Sequence, residues 1–84
     1  MARPMDDPWE RPLSRPIALR NDATLITLSD ARDLILRLPE RHQSRPPVVY
    51  ATELLLRAAR TGRRQDILAA TLQLGRALSN EGLV

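Results

Sequence analysis

Near residue 29 of this chain the apolar residues change from alternate positions to a helical stripe, and each spacing points to a different element. In Ile17-Ala18-Leu19 and Ile26-Thr27-Leu28 every second position is strongly apolar, as on a half-buried strand. With Asn21-Asp22 as a two-residue turn, Leu19 faces Thr24 and Ile17 faces Ile26. Ile17, Leu19, Ile26 and Leu28 then share one face of a β-hairpin. Asn-Asp is a weaker former of this turn than Asn-Gly, and a longer loop is the alternative. Pro16 has no N–H and fits only an edge or the start of a strand.

The periodicity then becomes helical. Ser29 is the expected N-cap, with Asp30 and Asp33 in the first turns, where the positive dipole end favours acids. Ala31, Leu34, Ile35 and Leu38 form one stripe, and Pro39 ends this first helix. Residues 39–46, Pro-Glu-Arg-His-Gln-Ser-Arg-Pro, read as a polar loop.

A second helix is predicted from Pro47 to about Arg60, with Gly62 as its left-handed stop. Its polar arc holds only Glu53, Arg57 and Arg60, so it reads as the central, most buried helix. Glu53 and Arg57 stand at i, i+4 in the order that favours an ion pair. A third helix, roughly 64–80, is expected to bury Ile67, Leu68, Thr71, Leu74 and Leu78, with Leu72 at the flank. Its outer face is Gln65, Asp66, Ala69, Gln73, Arg76 and Asn80. Gly75 falls on the buried face, where close approach of another helix would explain it, and Gly82 follows the helix end. The predicted class is α+β, a two-stranded hairpin packed on three helices (ββααα).

Composition changes this picture in a few places. Eighty-four residues make one domain with little surface to bury, a shortage that dimerisation would relieve. Prolines at 4, 8, 12 and 16 keep the start of the chain out of helix, so residues 1–12 read as a proline-rich, disordered leader and 13–84 as a single small domain. There is no cysteine, which removes disulfides, thiolate metal sites and cysteine nucleophiles. No apolar run nears the roughly 18 residues of a membrane span, and the first residues lack the apolar stretch of a signal peptide, so a cytoplasmic location is expected. All 13 basic side chains are arginine, a bias of the kind a GC-rich genome produces. The charges of residues 1–16 and of 17–56 each cancel, and the whole net charge of +3 lies in 57–84.

The order of a hairpin, a short helix ending in proline, an alanine-rich helix ending in glycine and a final helix followed by glycine and an aliphatic residue resembles the small alphaproteobacterial proteins of domain-of-unknown-function family 982. Trp9 and Pro12 before the first strand, the Ala31 to Pro39 helix, Tyr50 to Gly62, and Gly82-Leu83 carry the resemblance, over residues 9–84. Leu38 stands where such proteins often have an aromatic residue, and Leu56 where they often have cysteine. The resemblance implies a fold and an organism type, and no activity, substrate or partner.

Candidate chemistry is sparse. His42 is the single histidine. A general base needs an orienting acid and a nucleophile, and Glu40 and Ser44 are close to it only in sequence. An exposed loop histidine is therefore expected. Asp6-Asp7, and Asp30 with Asp33, match neither calcium-loop nor zinc spacing, and no glycine-rich phosphate loop is present. No catalytic, cofactor or metal residue is assigned.

The basic stretch Arg57-Ala-Ala-Arg-Thr-Gly-Arg-Arg64 is the remaining candidate. A helix, a glycine turn and a helix invite a helix-turn-helix reading, in which Gln65, Gln73, Arg76 and Asn80 would reach base edges. Asp66 near the start of that second helix opposes it, since phosphates would be close. Arg57 and Arg60 suit the C-terminal end of their helix, whereas Arg63 and Arg64 precede a helix N-terminus, where cations are disfavoured and an anion would fit.

The leading expectation is a small cytoplasmic bacterial protein without enzymatic activity, which binds an unknown protein partner or itself as a homodimer. The alternative is weak nucleic-acid or anion binding through Arg60, Arg63, Arg64 and Arg76.

Overall fold

The computed structural model describes residues 7–84; the part of the expected leader over 1–6 lies outside the described residues. A single 3-10 turn (Pro8–Glu10) is followed by strands β1 (Pro12–Ala18) and β2 (Thr24–Thr27). Helices α1 (Leu28–Arg37), α2 (Glu40–Gln43), α3 (Pro46–Thr61) and α4 (Arg64–Asn80) complete the order. The architecture is α+β, a two-stranded antiparallel sheet and then helices, with four helices in place of the expected three. The additional one, α2, lies in the stretch read as a polar loop. At four residues it is too short for any periodicity to announce it.

The described end of the leader is structured. Asp7 accepts a hydrogen bond from the Trp9 N–H at 2.9 Å, Pro8 takes a first-turn position that needs no donor, and half-buried Trp9 packs against the core.

The hairpin loop is longer than two residues, and this moves the register. Leu19 N–H donates to Ala23 O at 2.8 Å and Asp22 N–H to Leu19 O at 3.2 Å, so the loop is Arg20–Asp22. Its last residue, Asp22, is left-handed at φ 70, as three-residue hairpin loops require. Asn21 steadies the loop by accepting from Ala23 N–H at 3.1 Å. Ile17 therefore pairs with Leu25, and Ala18 with Thr24. A one-residue slip turns every side chain of β2 over: Leu25 is buried and Ile26 is 52% exposed, the reverse of the two-residue-turn expectation. Leu28 is not a strand residue; it opens α1 and is fully buried.

Both outer edges of the hairpin are partly closed by side chains. In an antiparallel pair alternate N–H groups point away from the partner strand. On β1 the Ser14 N–H donates to Thr71 Oγ1 at 3.1 Å, and Pro16 has no N–H to offer. On β2 the Ile26 N–H donates to Asp30 Oδ2 at 2.9 Å. Such edges are poor templates for adding a further strand.

Thr27, not Ser29, caps α1. Its hydroxyl accepts from Asp30 N–H and the Asp30 carboxylate accepts from Thr27 N–H, both at 3.0 Å, a reciprocal capping box. The displacement follows from Leu28 joining the helix. At the other end Pro39 forces Leu38 into an extended conformation (ψ 145), and the Gln43 amide, from α2, donates to the freed carbonyls of Ile35, Leu36 and Leu38 at 2.8–3.2 Å.

The most extensive interface joins α3 and α4. The buried side chains of these two helices are largely alanine, Ala51, Ala58 and Ala59 on α3 and Ala70 and Ala77 on α4, together with Val48, Leu55, Leu74 and Leu78. Small side chains let the helix axes come close. The buried stripe of α4 thus centres on Ala70, Thr71, Leu74, Ala77 and Leu78, while Leu68 and Leu72 are exposed at 48% and 44%. Leu68 does not occupy the buried position expected of it, because the face of α4 that packs inward is the one bearing Ala70, Leu74 and Ala77. Gly75 is not a point of close approach either: nothing lies within 4 Å of where its Cβ would be. Pro46 and Pro47 start α3 where no N–H is needed, and Gly62, left-handed at φ 66, stops it. No helix among the described residues is long and apolar enough to cross a membrane.

Candidate functional site

The four arginines singled out by sequence are not gathered around one depression. All are exposed. Arg60 borders a depression on the outer side of α3 with Tyr50, Glu53 and Arg57. Arg63 and Arg64 occupy the α3–α4 turn. Arg76 borders an open groove between β1 and α4, opposite Arg15. On α4, Arg64 and Arg76 are separated by about 18 Å along the axis and about a third of a turn around it. The N-terminus of α4 already has an anion from its own chain. Asp66 sits in its first turn and accepts from the Thr61 hydroxyl at 2.5 Å, and that hydroxyl accepts from Arg63 N–H at 3.2 Å. The mild conflict of two cations before a helix N-terminus is thereby offset locally. One further cation joins the turn, since the Arg11 guanidinium lies over Gly62.

His42 is not a free loop residue. It lies on α2, and its Nδ1 is 2.5 Å from Glu81 Oε1, with Arg45 Nε 3.1 Å from Glu81 Oε2. The Glu81 side chain is only 5% exposed. The partner stands 39 residues away, beyond two helices, so no local sequence signal connects them. The cluster pins α2 to the end of α4. Among the described residues the side-chain partner of His42 is Glu81.

Two carboxylates in these positions make the fold acid-sensitive. The His42 hydrogen bond, aided by Arg45 and opposed by burial, holds Glu81 below the ordinary glutamate range. The backbone N–H groups of Ile26 and Thr27 do the same for Asp30, again against burial. A carboxylate depressed in the folded state stabilises it fully above the unfolded value and loses that contribution as pH falls through the folded value. Unfolding free energy measured by urea titration is therefore expected to drop as the pH falls below about 5. Asp30→Asn should lower it at neutral pH and flatten the acid slope. An unchanged slope would contradict the capping role of Asp30.

A different feature gathers residues from three segments. Trp9 from the N-terminal turn, Ile35 and Leu36 from α1, and Thr52, Leu55 and Leu56 from α3 line an apolar hollow of about 250 Å³. Arg32 closes one side with its guanidinium 4.8 Å from the Trp9 ring centre, held there by Asp33 and Ser29. The rim is apolar and open to solvent. Leu36 is 69% exposed and Leu56 53%, with Tyr50 and Val49 continuing along α3. Leu56 also borders the depression that holds Glu53, Arg57 and Arg60, so it stands as a ridge between an apolar hollow and a charged one. α3 is accordingly not buried all round; only the face bearing Val48, Ala51, Leu55, Ala58 and Ala59 is. The sequence signal was the small polar arc of this helix, which left apolar residues to spare for the surface. Leu36 gave a weaker one, an apolar residue off the stripe of its helix.

Among the described residues no group of three or more His, Asp or Glu side chains is placed to hold a metal ion. No family model, curated protein or solved structure matches the chain.

Proposed function

We propose that this chain is a small bacterial interaction module without enzymatic activity, working in the cytoplasm, which binds a protein partner or another copy of itself through the outer faces of α1 and α3. The observation that carries this reading is the pair Leu36 and Leu56, highly exposed at the rim of an apolar hollow. Large aliphatic side chains grouped around a hollow gain by being covered, at roughly 25 cal/mol per Å² of apolar surface removed from water. The alternative, anion or nucleic-acid binding by Arg60, Arg63, Arg64 and Arg76, draws less support, because Arg60 and Arg76 border different depressions and Asp66 sits at the turn beside Arg63 and Arg64. The likeness to domain-of-unknown-function family 982 is part of the proposal and adds no activity to it.

Trp9 is the only tryptophan of the chain and lines the hollow, so its emission reports whether the hollow is filled. Association, either of the purified protein at rising concentration or with a protein from its own cells, is expected to shift that emission to the blue. Leu36→Glu with Leu56→Glu should abolish both the shift and the association without lowering the melting temperature, because both side chains are exposed. Association that survives this double substitution would overturn the reading.

A further inference from the structure

We infer that the partner on this face is a second copy of the chain, with its α3 antiparallel to the first about a two-fold axis beside Leu56. The inference rests on the interaction reading above and names its occupant. The outer side of α3 carries three charges, Glu53, Arg57 and Arg60, and no others. Glu53 and Arg57 have the spacing at which a helix closes an ion pair on itself. Yet the ion pairs among the described residues are Arg32–Asp33, His42–Glu81 and Arg45–Glu81, and neither Glu53 nor Arg57 takes part in one.

A two-fold axis perpendicular to a helix reverses the direction of the second copy. An acid that precedes a base in one copy then faces that base in the other, and the contact is made twice. The midpoint between Glu53 and Arg60 falls beside Leu56. An axis there sets Glu53 of each copy against Arg60 of the other, with Arg57 one turn from that contact, and brings the two Leu56 ridges together. A parallel arrangement would set like charges side by side.

Other routes to self-association are less open. The outer N–H groups of Ser14 and Ile26 are already bonded to Thr71 and Asp30, and Pro16 has none, so the hairpin is poorly suited to pairing with another hairpin. The buried face of α4 is already taken up, since that helix packs against both α3 and β1.

The test uses the full chain in sedimentation equilibrium over a wide concentration range. Wild type is expected to form a reversible dimer. Glu53→Arg makes all three charges basic, and Arg57→Glu with Arg60→Glu makes all three acidic, so each variant alone should dimerise at least about tenfold more weakly. Mixed in equal amounts, the two should associate with each other, and Leu56→Glu placed in both should abolish that association. A wild type that stays monomeric throughout overturns the second copy as occupant. The interaction reading survives that result if another protein binds in a manner that depends on Leu36 and Leu56. A dimer indifferent to the charge reversals and to Leu56→Glu overturns both.

Discussion

Leu74→Ala is expected to lower the unfolding free energy by about 3 kcal/mol and the melting temperature by about 15 °C. Leu74 is 1% exposed and sits in the middle of the α3–α4 seam. Many of the buried side chains of α3 and α4 are alanines, which have no longer side chains with which to fill a hole, so the space left by the missing atoms should largely persist. A cavity of this kind adds its own penalty to the lost transfer free energy. For a domain whose total stability is on the order of 4–13 kcal/mol, the change is a large fraction of the whole. Leu72→Ala, two residues away at 44% exposure, is the control and should stay within about 0.5 kcal/mol of wild type. Thermal unfolding of the two variants side by side is sufficient. A Leu74→Ala cost below about 1 kcal/mol would mean that the seam can close over the gap, against the account of a tight alanine interface.

Thr71→Val is the second large effect, expected near 1.5 kcal/mol. Thr71 is the only buried polar residue among those described, at 2% exposure. Its hydroxyl donates to Ile67 O within α4 at 2.8 Å and accepts from the Ser14 N–H of β1 at 3.1 Å. Valine keeps the shape of the side chain and removes both bonds, so the cost isolates the hydrogen bonding. Water reaches Ser14, which is exposed, and replaces part of what is lost; the expected cost therefore falls within the lower half of the usual range for an unsatisfied buried group. Hydrogen exchange gives the specific readout. The Ser14 amide should lose protection far more than the amides of α3, and Thr71→Ser, which keeps the hydroxyl, should retain it. Equal loss across the molecule would show that Thr71 acts by packing alone.

Much of the helical part was legible because its signals are local. Pro39 and Gly62 end their helices by steric rules that hold in any surroundings, and the prolines at 46 and 47 start one for the same reason. The α+β class followed from the switch between two spacings. The strand register was not legible, since it hangs on one residue of loop length: three residues with Asp22 left-handed put Leu25 inside, where a two-residue turn would have put Ile26. The N-cap shifted with it, from Ser29 to Thr27.

The candidate surface was legible only as a surplus. The narrow polar arc of α3 announces more apolar side chains than one buried face uses, yet nothing in the chain says that Trp9 and Leu36 gather beside Leu56. The basic stretch showed the opposite failure. Arg60, Arg63 and Arg64 are close along the chain and Arg76 follows three turns into the next helix, but Arg60 and Arg76 border different depressions.

By itself, then, the sequence determined where α1 ends, where α3 and α4 begin and end, the presence of a hairpin, and the absence of cysteine chemistry, because those depend on backbone sterics, short-range periodicity and composition. Tertiary structure decided which face of each element is inward, that His42 meets Glu81, and that Leu36 and Leu56 stay in solvent. These depend on how α3 and α4 dock. Where half of the buried side chains on two helices are alanines, small in size and weak in hydrophobic signal, the docking angle depends on how closely the backbones can approach, a property of the packed pair and of neither helix alone.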